Sequence, residues 1–150
     1  MHLLNISVLI LALQACITPG SIKPQDLRAF KSDKCSMFPE GTTEDKNLWC
    51  HCCLEHDKSY WQGGTTADRK KADEALGACV RKTGKKDIAN LMLAGVRVGG
   101  TPYLPTSFRW GYGWPYLRGY KEVSTEEDGA IEQKLYEFEN SGKPPVCMAQ

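Results

Sequence analysis

Helical spacing of apolar residues, together with the capping residues that bound it, predicts four helices in this chain. The first should start near Thr43 or Glu44 and run to about Trp61, where Gln62-Gly63-Gly64 ends it. Thr65 or Thr66 can cap a second, whose stripe Ala72, Ala75, Leu76, Cys79 and Val80 recurs every three or four residues until Gly84 stops it. Asp87 to Val98 reads as a shorter third helix ending at Gly99-Gly100. Ser124 and Glu127 form a capping-box pair, and behind them Ile131, Leu135 and Phe138 share one face of a last helix.

The intervals read differently. Ile22 to Lys34 is short and polar, with room for one helical turn at Asp26 to Phe30. In "CSMFPEGTTEDKN", residues 35–47, Pro39, Gly41 and a polar cluster break any period, so a loop is expected. Thr101 to Tyr120 holds three prolines and seven aromatic residues with neither a helical nor a strand period. Tryptophan, tyrosine and interleaved arginine there would suit a membrane-water interface. The alternation of glycine and aromatic residues, Trp110 to Trp114, favours instead a stiffened loop that packs its rings over the helices as a second core. The class that follows is all-α, without internal repeats.

A chain of 150 residues fits one domain with a modest core. A net charge of +1 offers no argument for a nucleic-acid partner. Basic residues gather between Arg69 and Lys86 and acidic ones between Glu122 and Glu139, a distribution expected of solvated helix faces. The apolar run Ile6 to Ala15 suits the core of a signal peptide and is too short to span a bilayer, so residues 1–15 are expected to be a signal peptide. "LQAC" also fits a bacterial lipobox, which would make Cys16 a lipidated first residue. The chain would then be secreted, or anchored to a membrane as an exported lipoprotein, with the folded domain spanning 22–150.

Without Cys16, six of the seven cysteines remain: Cys35, Cys50, Cys52, Cys53, Cys79 and Cys147. In an exported chain of this size that is most simply a three-disulfide framework, although composition does not pair them. The stretch "CCLEHDKSY" places His56, Asp57 and Tyr60 directly after two of these cysteines. Suppose Cys52 and Cys79 are bonded across two antiparallel helices. His56 then lies roughly 6 Å along the axis from that bond and Asp73 roughly 9 Å, within side-chain reach of each other. A histidine oriented by a carboxylate has a fixed tautomer, as a general base for water needs. A second carboxylate, Asp57, facing a loop of free carbonyls is what a hard cation such as calcium needs. Two other readings use the same residues: His56 as a satisfied core histidine, and zinc held by Cys50, Cys52, Cys53 and His51 or His56.

These residues resemble secretory phospholipase A2. That family carries Cys-Cys-x-x-His-Asp-x-Cys-Tyr on its first long helix, which "CCLEHDKSY" matches with Ser59 in place of the later cysteine. Its second long helix carries Cys-Asp with a further cysteine six residues after the aspartate; Asp73 and Cys79 keep that spacing, with Ala72 in place of the cysteine. In the family the two replaced cysteines bond each other, so both halves of one bridge are missing together. The resemblance covers roughly residues 33 to 82. It implies two long antiparallel helices linked by Cys52–Cys79, a second bond Cys35–Cys53, and Cys50 left for Cys147. It also implies calcium-dependent hydrolysis of the sn-2 ester of glycerophospholipids at a phospholipid membrane surface. By position, His56 resembles the water-activating base, Asp73 the residue that orients it, Tyr60 the tyrosine bonded to that aspartate, and Asp57 the calcium carboxylate. "DKCSMFPEG" stands where the calcium loop would be. It lacks the usual glycine-rich pattern and looks more like the shorter Cys-Ser-x-x-Pro loop of bacterial and fungal members, which makes the carbonyls of Lys34, Ser36 and Phe38 the expected ligands. The alternative is a phospholipase-like module that binds lipid or protein without turnover.

Overall fold

A computed structural model describes residues 22–142 and 146–147; the expected signal peptide and Cys16 lie outside the described residues. These residues form one 3-10 turn, Pro24–Asp26, and four helices: α1 Cys50–Gln62, α2 Thr66–Lys82, α3 Lys86–Gly99 and α4 Thr125–Glu139. Among the described residues there is no strand. The fold is all-helical and cross-linked by Cys35–Cys53, Cys50–Cys147 and Cys52–Cys79.

Local chemistry explains where most of these elements begin. Thr65 accepts the Asp68 amide at 3.2 Å while the Asp68 carboxylate accepts the Thr65 amide at 2.9 Å, a reciprocal cap for α2. Ser124 and Glu127 do the same for α4, at 3.3 and 3.0 Å. Gly84, at φ +84°, takes the left-handed conformation that follows the end of α2.

Three sequence expectations are corrected. The early turn sits at Pro24–Asp26 rather than Asp26–Phe30, because Pro24 presets its first dihedral and Asp26 accepts the Lys23 amide at 2.8 Å. α1 starts at Cys50, not near Thr43. Thr42 and Asp45 bond each other's backbone and Asp45 takes the Asn47 amide at 3.1 Å, so short polar side chains hold residues 42–47 in turns. Trp49 fixes the entry to α1, giving its indole N–H to the Pro39 carbonyl at 2.7 Å. On α2 the buried set is Ala72, Asp73, Leu76, Gly77 and Val80, a stripe that leaves Ala75 in solvent.

Partners on α1 and α2 step in opposite order: Cys52 with Cys79, His56 with Asp73, Tyr60 with Arg69. α3 lies against α2 and buries Ala89 and Met92, which join Trp49, Leu76 and Val80 in one core. A second core joins the N-terminal segment to α4 through Leu27, Phe30, Trp61, Trp114 and Ile131. Each such large side chain, fully buried, contributes roughly 1.5–3 kcal/mol.

The aromatic segment is irregular and, where glycine and aromatic residues alternate, turns its two tryptophans inward, while Tyr103 and Tyr116 stay exposed. Trp110 and Trp114 are buried, and their indoles donate to the Gly64 carbonyl at 2.9 Å and the Gln62 carbonyl at 2.7 Å. Gly111 and Gly113 donate to the Tyr60 and Trp61 carbonyls at 2.6 and 3.0 Å. Three of these bonds satisfy the carbonyls of Tyr60, Trp61 and Gln62 at the end of α1, which a helix cannot satisfy itself, and the fourth holds the Gly64 turn that follows. A Cβ on Gly113 would stand 2.6 Å from the Trp61 ring, so only glycine permits this approach. Arg118 closes the segment with a two-pronged bond to Glu127, at 2.7 and 2.8 Å, and stacks 4.1 Å above Trp114. Glu127 is therefore a buried anchor, and the acidic stretch is not solvated throughout.

Candidate active site

Three of the sequence-predicted side chains meet between α1 and α2. His56 Nε2 lies 3.2 Å from Asp73 Oδ1, with the two side chains 8% and 1% exposed. The Tyr60 hydroxyl donates to the same Asp73 oxygen at 2.7 Å. His56 and Tyr60 are one helical turn apart on α1, so their rings stack at 4.1 Å and both reach the carboxylate on α2. With Nε2–H turned to Asp73, Nδ1 keeps its lone pair.

Asp73 is fully buried, and its other oxygen faces two arginines that the motif did not anticipate. Arg97 Nε on α3 stands 3.1 Å from Oδ2 and Arg69 Nε 3.9 Å. Arg69 also donates to the Tyr60 and Tyr120 hydroxyls and to the Val96 and Arg97 carbonyls, tying α2 to the end of α3. It is part-buried and belongs to this network rather than to a solvated basic face. The spacing of Arg69 and Asp73, one turn apart, was a signal that could have found it; Arg97 had none. Burial, the largest influence, and the Asp73 carboxylate both hold the Tyr60 hydroxyl protonated far above its ordinary range, with Arg69 opposing them.

Asp57, the next residue along α1, meets the segment at residues 32–34 and is buried at 6% exposure. Its Oδ2 accepts the Ser32 hydroxyl at 2.5 Å. Among the described residues no cationic side chain stands within ion-pair distance of it. Burial pushes its carboxyl up to about 7; nearby Asp33 adds to the rise, and Ser32 with the Lys34 and Asp33 amides restrains it. Beside it, the loop after Asp33 places both Lys34 (φ +67°) and Ser36 (φ +53°) in the left-handed region, at a cost of order 1 kcal/mol or more each.

A cleft of about 410 Å³ joins these parts. His56, Asp57 and Tyr60 line it together with the expected loop residues Lys34, Ser36 and Phe38, against an apolar wall that includes Leu76, Met92 and Val96. Gly100 closes one end, where a Cβ would overlap the Tyr60 hydroxyl. Met37 and Leu91 also line the cleft and are 90% and 59% exposed, so its rim presents apolar side chains to solvent.

The donor set fits a hard cation in one respect, a buried carboxylate without a positive partner among the described residues; the groups that face it are the Ser32 hydroxyl and the Asp33 and Lys34 amides. It does not fit zinc. Among the described residues the cluster of three metal-ligating side chains is His51 with Cys52 and Cys79, and those two sulfurs are bonded to each other. Cys50 and Cys53 are likewise bonded, to Cys147 and Cys35.

Compared with known proteins, the chain matches no family model, no curated protein and no solved structure.

Proposed function

We propose that this protein is an exported, calcium-dependent phospholipase A2-type enzyme that hydrolyses the sn-2 ester of glycerophospholipids. The observation that carries this reading is the 3.2 Å contact between His56 Nε2 and the buried Asp73, set at the wall of an apolar cleft that also contains Asp57. The opposed pairing of α1 and α2 supports the antiparallel, phospholipase-like arrangement. The exposed Met37 and Leu91 at the cleft rim support a phospholipid surface as partner. No helix among the described residues is long and apolar enough to cross a membrane.

In this reading Asp73 and Tyr60 hold the imbalance of charge at one end of the imidazole. His56 Nδ1 takes a proton from water as the water attacks the ester carbonyl, and returns it to the departing alkoxide. Leu76, Met92 and Val96 receive an acyl chain and keep bulk water from the reacting carbonyl. Asp57, with the Lys34, Ser36 and Phe38 carbonyls, would hold calcium. When bound, that ion supplies electrostatic stabilisation of the carbonyl oxygen's developing charge.

A second reading draws on Asp57 itself: a carboxyl bonded by Ser32 and titrating near 7 suits a lipid-binding module without turnover. One experiment separates the two. A phospholipid labelled differently on each acyl chain is incubated with the wild type and with His56→Gln, with calcium and with EDTA. Release of the sn-2 chain alone, lost with His56→Gln and with EDTA, is the expected result. Vesicle binding with no release by the wild type would establish the binding module.

A further inference from the structure

A second cleft, of about 1050 Å³, opens between the N-terminal segment and the aromatic segment. Its walls bring Arg28, Lys31 and Arg109 together with the rings of Phe108, Tyr112 and Tyr116. The Trp114 carbonyl accepts from Arg109 Nη2 at 2.7 Å and from Arg28 Nη2 at 3.3 Å, so two guanidiniums converge on one oxygen. Arg109, itself buried, gives its remaining bonds to the Trp110 and Gly111 carbonyls, and Arg28 also donates to the Tyr112 carbonyl.

Among the described residues no carboxylate stands within ion-pair distance of Arg28, Lys31 or Arg109. Two acids do line the cleft, and neither pairs with these cations: Asp26 accepts the Lys23 amide at 2.8 Å and Asp33 the Ser36 hydroxyl at 2.9 Å. Carbonyl dipoles satisfy guanidinium N–H groups without neutralising them. Two like charges held close in a partly desolvated wall repel. Burial first, and Arg28 second, hold Arg109 below the usual arginine range. A structural brace alone would need neither the second guanidinium nor an open cleft beside it.

We infer that this cleft binds an amphiphilic oxyanion, a carboxylate or phosphate monoester held by Arg28 and Lys31, with the charge of Arg109 behind them and the ligand's apolar chain along Phe108, Tyr112 and Tyr116. Among the described residues the Arg28 guanidinium bonds through Nη2 alone, which leaves Nη1 and Nε for either headgroup, and the anion would offset the charge that the protein leaves unpaired. Phe108 lines this cleft and the one at His56. The inference nonetheless stands apart from the proposed reaction, since it uses none of His56, Asp57 or Asp73.

The test is calorimetric titration of the disulfide-bonded protein with decanoate, decyl phosphate, inorganic phosphate and decanol, each below its aggregation threshold. Decanoate or decyl phosphate should bind about tenfold or more tightly than inorganic phosphate and decanol. Whichever amphiphile binds better identifies the headgroup. Arg28→Gln and Lys31→Gln should each weaken that binding about tenfold, while His56→Gln leaves it unchanged. Lys31 makes no side-chain bond to the aromatic segment, so its variant carries the test should Arg28→Gln lose the fold. Failure of both amphiphiles to bind would overturn the inference, as would decanol or inorganic phosphate binding equally well. So would full binding by a folded Lys31→Gln.

Discussion

Tyr60 gives its hydroxyl hydrogen to the same Asp73 oxygen that His56 approaches, so one carboxylate oxygen serves both side chains of α1. The arrangement makes Tyr60 a positioning residue and Asp73 the shared support. Tyr60→Phe should therefore slow ester hydrolysis by about tenfold and lower stability by about 1 kcal/mol. Asp73→Asn should cost about 10² or more, because the amide can present the wrong hydrogen-bonding group to Nε2. Initial rates on phospholipid vesicles, with urea titration for stability, check both. Equal losses in the two variants would contradict the assigned roles.

Asp57 makes stability depend on pH in a direction opposite to most carboxylates. Unfolded, an aspartate titrates near 3.9; folded and without metal, Asp57 is pushed up to about 7. Between about pH 4 and 7 the native state keeps a proton that the unfolded state has lost, so this group's contribution to stability falls as pH rises through that window and levels off above it. In EDTA, Asp57→Asn should stabilise the protein at pH 8 by on the order of 4 kcal/mol and make little difference at pH 4. Melting curves across that range provide the measurement.

On the proposed reading, the same titration would govern calcium. Calcium requires the ionised carboxylate, so its affinity should rise about tenfold per pH unit below 7 and plateau above. Calcium should also raise the wild-type melting temperature at pH 8, an effect absent from Asp57→Asn. Calorimetry with calcium chloride at pH 6, 7 and 8 reads the trend.

Glu127 is held by Arg118, by the Ser124 amide and by Lys121, and its carboxyl falls to about 2, with the Arg118 bond the largest cause. Its support for the fold is present above about pH 4.5 and lost as pH falls toward 2. Glu127→Gln leaves Arg118 buried and unpaired, and should destabilise by about 3 kcal/mol, seen as a melting temperature lower by roughly ten degrees. Hydrolytic activity at low temperature should survive.

Met37 and Leu91 sit at the cleft rim, and acidic side chains there would oppose anionic lipid. Met37→Glu should weaken binding to anionic vesicles by about tenfold, while leaving hydrolysis of a soluble short-chain ester unchanged. Sedimentation with vesicles, set beside the soluble assay, separates surface contact from chemistry.

What the sequence disclosed was mostly what lies within one helical turn. Ser124 with Glu127 caps the helix it was expected to cap, and of the two threonines offered for α2 it is Thr65 that does so, with Asp68 as its partner, because each pair completes its bonds within three residues. His56 and Asp73 could be placed opposite each other because two cysteines fixed the register between their helices. The start of α1 was misplaced because Thr42 and Asp45 compete for backbone bonds that a helix pattern takes for granted. Arg97 at Asp73 and Ser32 at Asp57 were illegible for another reason. Each meets its partner through the packing of a different segment, 24 and 25 positions away, and no local periodicity encodes that.

The indole of Trp110 closes the turn after α1 from 46 positions downstream, and Cys147 meets Cys50 across 97. A ribosome releases His56 and Asp73 well before it releases either fastener. The paired rods therefore leave the ribosome with only the Cys52–Cys79 rivet to hold their register, and the covering that seals the end of α1 arrives later, when the late-emerging portion folds back over them.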